Sequence, residues 1–336
     1  PFLLVVPLAP PAAAQFDAVV PARRALLQDD LFATARGAAL AHADLAASDG
    51  IGGLWSNPGA DLRGDHDLEL SVAHANDLAA LSSADDVRLL AAGVSFVRRS
   101  VRLAFGVRDL SFAQEIRTAF DPEGTRFEYE RRDLAAGLAV ELSDALGLEG
   151  PLRWSAGLAG RARREDLGLN SETELRGAAF DLGTTVTWAA AGDGALRRVA
   201  AAVVFRNLFD GELDADDEPA RPIPRALHAA VTAHGARRVR GLAVHGTVAL
   251  ALTHQLNDVD ETDLHVGGEL VLADLVLLRA GRHDVNYPSV LSYGVGLRFA
   301  VLGRARLDLA WTRQDVDTDL GDGTIDVVGL RGAATF

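Results

Sequence analysis

Residues 35–62, ARGAALAHADLAASDGIGGLWSNPGADL, have no counterpart further along the chain. The run is made of small residues around one large aromatic, Trp55. It ends in Ser56-Asn57-Pro58-Gly59, where proline fixes φ and asparagine favours a turn. Read alone, it is an ordinary loop ahead of a strand. Its context changes that reading, because after Asp61 the hydrophobic period becomes two and stays two as far as Phe336. We therefore expect residues 63–336 to form one continuous barrel wall and residues 15–62 an N-terminal plug inside it. Residues 21–49 do not alternate and predict one or two helical turns.

The alternation predicts fourteen strands. Leu68, Leu70 and Val72 oppose Glu69, Ser71 and Ala73; Val101, Leu103, Phe105 and Val107 oppose Arg102, Ala104, Gly106 and Arg108. The same scheme runs through to Val328, Leu330 and Phe336 against Arg331 and Thr335. One phase stays open: in the strand at about 86–98, Leu89-Leu90-Ala91-Ala92 are apolar on both faces. Parity puts Leu250, Leu297 and Leu309 on the bulky apolar face. On the other face, with the small residues, it puts Arg102, Arg108, Glu141, Arg153, Asp181, Glu269, Arg279, Arg298 and Arg331. A soluble sandwich also alternates, so the polar face decides: glycine, alanine and threonine with scattered charge suit a lumen better than a solvated surface.

Connection lengths agree. Arg99-Ser100, Ala273-Asp274 and Leu302-Gly303 are near-minimal turns, and 147–151, 191–196 and 235–240 are only slightly longer. The longer polar insertions, 114–124, 166–176, 209–222 and 315–323, all fall on the opposite side. Short turns on one side and long loops on the other are the habit of bacterial outer-membrane barrels. The expected fold is thus all-β, a 14-stranded antiparallel transmembrane barrel with an N-terminal lumenal plug.

Composition sets further bounds. A chain of 336 residues could hold two soluble domains or one large all-β domain. It has no cysteine and no methionine, and all 33 basic residues are arginine; the net charge of −14 argues against nucleic acid as a partner. Residues 2–14, FLLVVPLAPPAAA, end in an A-x-A pattern at Ala12-Ala13-Ala14, so residues 1–14 read as the remnant of a secretory signal. No other apolar run reaches the 18 residues of a membrane helix, so a membrane protein of this sequence would have to be a barrel. The aromatic content of 6% is low for a wall with two aromatic girdles.

Ala35-Arg36-Gly37, Ala41, Asp44, Ala46, Leu54-Trp55 and Asn57-Pro58 together resemble the N-terminal region of the FadL-like outer-membrane barrels, including the PorV/PorQ branch. Gly59-Ala60 stands where that family usually has Ala-Gly. Along the wall, Phe180-Asp181-Leu182-Gly183, Arg206-Asn207-Leu208, Ile223-Pro224-Arg225 and the pair Gly267-Gly268-Glu269 and Leu278-Arg279-Ala280-Gly281 are similar to PorV/PorQ-type segments, and a terminal Phe336 is usual in such barrels. The resemblance implies that Arg36, Gly37, Trp55, Asn57 and Pro58 form the plug motif. It also implies a plugged channel for passive uptake of hydrophobic small molecules, set in outer-membrane lipid and lipopolysaccharide. The alternative is a PorV/PorQ-type accessory of a type 9 secretion system that binds exported proteins, and a third is a structural barrel without transport.

Enzyme chemistry is not indicated. The nine histidines show no metal-ligand spacing, and Asp315-Val-Asp317-Thr-Asp319-Leu-Gly321-Asp322 misses a calcium loop by the place of its glycine and the lack of a closing glutamate. We expect no cofactor, no metal site and no catalytic residue. The acidic stretches 210–218 and 256–263 could gather divalent cations beside lipopolysaccharide phosphates.

Overall fold

The computed structural model describes residues 34–48, 50–62, 67–76, 84–116, 125–148, 150–166, 174–190, 194–209, 211–214, 221–256, 262–284, 289–301, 304–318 and 321–336. The expected signal remnant and residues 15–33 of the expected plug lie outside the described residues.

The alternating segments form long strands: β1 (Leu68–Asn76), β2 (Ala84–Arg98), β3 (Val101–Ile116), β4 (Thr125–Glu141), β5 (Leu152–Asp166), β6 (Glu174–Ala189) and β7 (Leu196–Arg206). After two short pieces, β8 (Glu212–Asp214) and β9 (Arg221–Pro222), come β10 (Ala226–Val239), β11 (Leu242–Gln255), β12 (Thr262–Leu272), β13 (Val276–Asp284), β14 (Ser289–Val301), β15 (Ala305–Thr318) and β16 (Gly321–Ala334). Each long strand pairs antiparallel with its neighbour. β16 returns to β1 in a register running from Leu68↔Ala334 to Asn76↔Asp326, so fourteen strands close into a barrel. β8 and β9 stand apart from the ring; β8 pairs with β6 at Arg176–Gly177.

Period-two patterning dictates the two faces. Bulky apolar side chains such as Leu70, Val72, Leu134, Leu250, Leu297 and Leu309 are exposed on the outside. Alanine, serine, threonine and charge line the inside. The open phase of β2 is settled by its register with β1 and β3: Leu89 and Ala91 are buried while Leu90 is exposed. Phe96, Trp154, Trp188 and Phe299 are exposed at the strand ends nearest the short turns, one aromatic girdle assembled from few aromatics.

Several expected boundaries are corrected. The turn expected at 235–240 is strand, since β10 continues pairing with β11 to Val239↔Leu242, and the reversal falls on Arg240–Gly241 with both residues at positive φ. The loop expected at 315–323 is mostly hairpin, because Asp315↔Thr324 to Thr318↔Gly321 extend the β15–β16 ladder. β3 runs on to Ile116 and β6 starts at Glu174, shortening two further loops, and Asp263 of the acidic stretch 256–263 is a buried residue of β12. β10 begins only at Ala226, after the Ile223-Pro224-Arg225 stretch. After β4 the alternation stops, and Leu142 opens a helical turn, α3 (Leu142–Ala145).

Ahead of β1 come α1 (Ala35–Ala39), a 3-10 turn (Ala43–Ala46) and α2 (Gly50–Ser56). α1 is capped by Thr34, whose hydroxyl accepts from the Gly37 amide at 2.9 Å.

Candidate functional site

Residues 34–62 are almost wholly buried, and they meet inward-facing wall positions on every side of the ring. Ile51 lies against Gly93 of β2, Trp55 and Leu54 against Gly106 of β3, and Leu54 against Gly137 of β4. Leu40 lies against Gly267 and Gly281, Ala39 against Gly294 and Ala35 against Gly329. A helix backbone can approach a strand this closely only where the strand carries no side chain.

The Asn57-Pro58 turn shows how the segment is seated. Gly157 and Gly183 face each other across β5 and β6 and leave a notch into which the turn fits. Asn57 is fully buried; its amide donates to Leu45 O at 3.0 Å and to Thr185 Oγ1 at 2.8 Å, and its Oδ1 accepts from the Gly59 amide at 3.0 Å. Arg102 donates to Pro58 O at 2.9 Å and Ser155 to Gly59 O at 2.7 Å. Backbone groups that a dry lumen would orphan are thereby satisfied by wall side chains. Trp55 is buried under the Arg108 guanidinium, 5.0 Å from the ring centre, and Arg206 donates to Trp55 O and to Ser56 O.

At the other end of the segment, Arg36 donates to Ala47 O at 2.8 Å and to both oxygens of Glu269 at 3.3 Å. Glu269 also accepts from Arg279 at 2.7 Å. Gly37 packs under Thr34 and Asp44. Thr312 and Gln314 donate to Ala35 O and Ala38 O at 2.9 and 3.0 Å. Glu69 accepts from the Ile51 amide at 3.3 Å and from Arg331 at 2.7 Å. Between the segment and the wall a cavity of about 50 Å³ is lined by charged groups including Arg36, Asp44, Glu69 and Arg331. That is room for a few waters.

Two further groups of inward charge are knotted together. Asp133 takes Arg108, Arg131 and Arg163 at 2.7, 2.9 and 2.8 Å. Asp181 takes Arg161 and Arg206 at 2.9 and 2.7 Å and the Asn207 amide at 3.0 Å. Arg298 pairs with Asp308 at 3.0 Å. Glu141 is buried at the turn end of β4 and Arg153 is half-buried at the start of β5. Parity alone named Arg102, Arg108, Glu141, Arg153, Asp181, Glu269, Arg279, Arg298 and Arg331 as lumenal. It gave no sign that Asp133 would gather three arginines, because that depends on cross-strand register.

Toward the loop end, beyond the arginine knots, the inner face turns apolar. Leu89, Leu110, Tyr129 and Leu175 on β2, β3, β4 and β6, Leu213 and Ile223 from the β7–β10 connection, and Val290, Ile325 and Val327 opposite belong to one buried cluster. On β10–β13, four buried histidine and threonine side chains meet: Thr253 bonds His228 at 2.8 Å and His265 at 3.0 Å, and His265 stacks on His283 with centroids 3.9 Å apart. The spacing of these histidines in the sequence gave no hint of that group. Among the described residues, no three acidic or histidine side chains are placed to hold a metal ion.

No family model matches the sequence, and no curated protein is significantly similar to it. Solved structures do match in fold. CymD, a monoaromatic hydrocarbon channel, superposes with a TM-score of 0.53 at 10% identity, over 92% of this chain and 98% of that one. A deletion mutant of TodX, also a monoaromatic hydrocarbon channel, gives 0.51 at 11% identity, over 85% and 94%. CdiB from Acinetobacter baumannii gives 0.47 at 11% identity over 79% of this chain, which spans only 59% of CdiB's length. At such low identity the likeness speaks of architecture: the chain has the barrel fold of the hydrocarbon channels CymD and TodX.

Proposed function

We propose that this protein is an outer-membrane channel for passive entry of hydrophobic small molecules, closed at rest by residues 34–62 acting as a plug. The observation that carries the reading is the apolar inner cluster between Leu89 and Val327, which lies on the loop side of the segment. A water-filled pore needs a polar lining, whereas an apolar lining suits a solute that leaves water. The apolar outer belt suits lipid, and each inner knot gathers its buried arginines around a shared carboxylate. The hydrocarbon channels with the same fold support a substrate of that class. Among the described residues no structural feature favours the secretion-accessory reading over this one.

Deletion of residues 30–58 is the test, since the strands supply their own pairing and the segment supplies only the seal. In planar bilayers the wild type should carry almost no ion current and the deletion should conduct. Equal conductance would show that these residues do not block the lumen.

A further inference from the structure

We propose that the histidine group on β10–β13 is a proton-operated latch that holds the segment in place near neutral pH and lets go in acid. The idea rests on the reading of residues 34–62 as the plug, and adds what would release it.

The hydrogen-bond roles are forced. His265 Nδ1 lies 2.8 Å from Ala41 O, and a carbonyl only accepts, so Nδ1 carries a proton and donates it. His265 Nε2, in the neutral ring, is then the acceptor of the Thr253 hydroxyl at 3.0 Å. That uses the one hydroxyl proton, so His228 Nδ1 must donate to Thr253 Oγ1 at 2.8 Å. With His265 neutral the line runs in this one direction, from β10 through β11 and β12 to the Ala41 carbonyl; a proton on Nε2 turns the Thr253 hydroxyl round and requires His228 Nδ1 to accept. Ala41, whose carbonyl it holds, and His42 after it are at positive φ, a backbone shape that needs outside support in non-glycine residues.

The groups facing His265 leave little room for charge. They are His42 from the segment, His228 from β10 by way of Thr253, His283 stacked on it from β13, and Asp263 two residues away on its own strand. His283 Nε2 lies 3.8 Å from Asp263 Oδ2, while that nitrogen and Asp263 Oδ1 have no hydrogen-bond partner among the described residues. One carboxylate can offset one proton, and the pair of stacked rings can accept two. Asp263 is one carboxylate beside two rings, so a proton on each would put two cations face to face in a buried site with only one charge offset.

The sign follows from proton counting. With the segment released His265 meets water, where an imidazole takes up a proton below about 6.5, so below that pH the released form binds more protons and acid favours release. For one extra proton the released-to-held ratio rises about 30-fold between neutrality and pH 5.

Amide hydrogen exchange over residues 37–48, corrected for intrinsic rates, reads the latch without reference to transport. In the full-length protein in lipid vesicles, protection should fall about 30-fold from pH 7.5 to pH 5.0. His265→Asn keeps a side-chain amide able to donate to Ala41 O but cannot take a proton, and its protection should not change with pH. Equal protection of the wild type at both pH values overturns the latch, and so does an undiminished fall in His265→Asn. Conductance recorded in parallel separates the two ideas: lost protection with no added current keeps the latch and removes the plug reading.

Discussion

Asn57 and Gly183 touch through a contact that only glycine permits. A Cβ at Gly183 would overlap Asn57 Oδ1, lie 2.8 Å from the Gly59 nitrogen and 3.0 Å from Pro58 Cδ, all atoms of the segment and none of the wall. Gly183→Ala should therefore weaken docking of the turn by about 1–3 kcal/mol while leaving strand pairing alone. The expected result is faster amide exchange in residues 50–60 with unchanged heat-modifiable migration of the barrel. Slower migration or unfolding of the wall itself would show that the clash is borne elsewhere. The turn was legible in the sequence because Asn-Pro restricts its own backbone. The notch was not, since Gly157 and Gly183 become neighbours only through the β5–β6 register. The same limit hid Asp133's three arginines and the His265–His283 stack.

At the scale of the element, β7 stops well short of the strand it pairs with. It has 11 residues and stops at Arg206, whereas β6 begins eight residues above the last position that β7 covers, from Glu174 to Asp181. Asn207 makes that stop. Its φ of +52° leaves the strand conformation, its Oδ1 accepts from the Gly211 amide at 2.9 Å, and its Nδ2 donates to Ile223 O at 2.6 Å. The connection then folds back, pairs β8 with β6 and buries Leu213 and Ile223 against the inner apolar cluster. Asn207→Ala removes the side chain's bonds to Gly211 and Ile223 and keeps the unfavourable φ, and should cost about 1–3 kcal/mol of local stability. We expect protease added to intact cells to cut within 207–225 in the variant and to spare the wild type. Alternation could not foretell this piece, because three- and two-residue strands carry no period. Long strands were plain from parity, yet their ends were not: Arg240–Gly241 beats Gly235 as a turn only because Ala236–Val239 find partners on β11.

For the whole molecule, the outer belt predicts a cost that depends on depth. Leu250 sits mid-strand among Val231 and Val266, and Leu242 opens the same strand beside the turn, with both exposed on the outer face. Leu250→Arg should cost about 2–4 kcal/mol and Leu242→Arg about 0–1, read from urea titrations of the barrel refolded in phospholipid vesicles. Equal costs would mean that the belt does not lie in lipid as its parity implies.

The pairing of β1 with β16 has a consequence for the order in which the molecule can form. Every other long-strand contact is made by neighbours in the chain or across one short excursion, but this one joins Leu68 to Ala334 and Asn76 to Asp326. Bringing together ends about 260 residues apart costs on the order of 5 kcal/mol in loop-closure entropy, roughly twice the figure for a hairpin of about 20 residues. Nine residue pairs and the Phe336 amide bond to Asp67 must offset that cost at one stroke. The ring therefore shuts late, after its hairpins. Until it does, the free edges of β1 and β16 stay open to pairing with another chain, which makes this seam the step at which assembly most needs to be guarded.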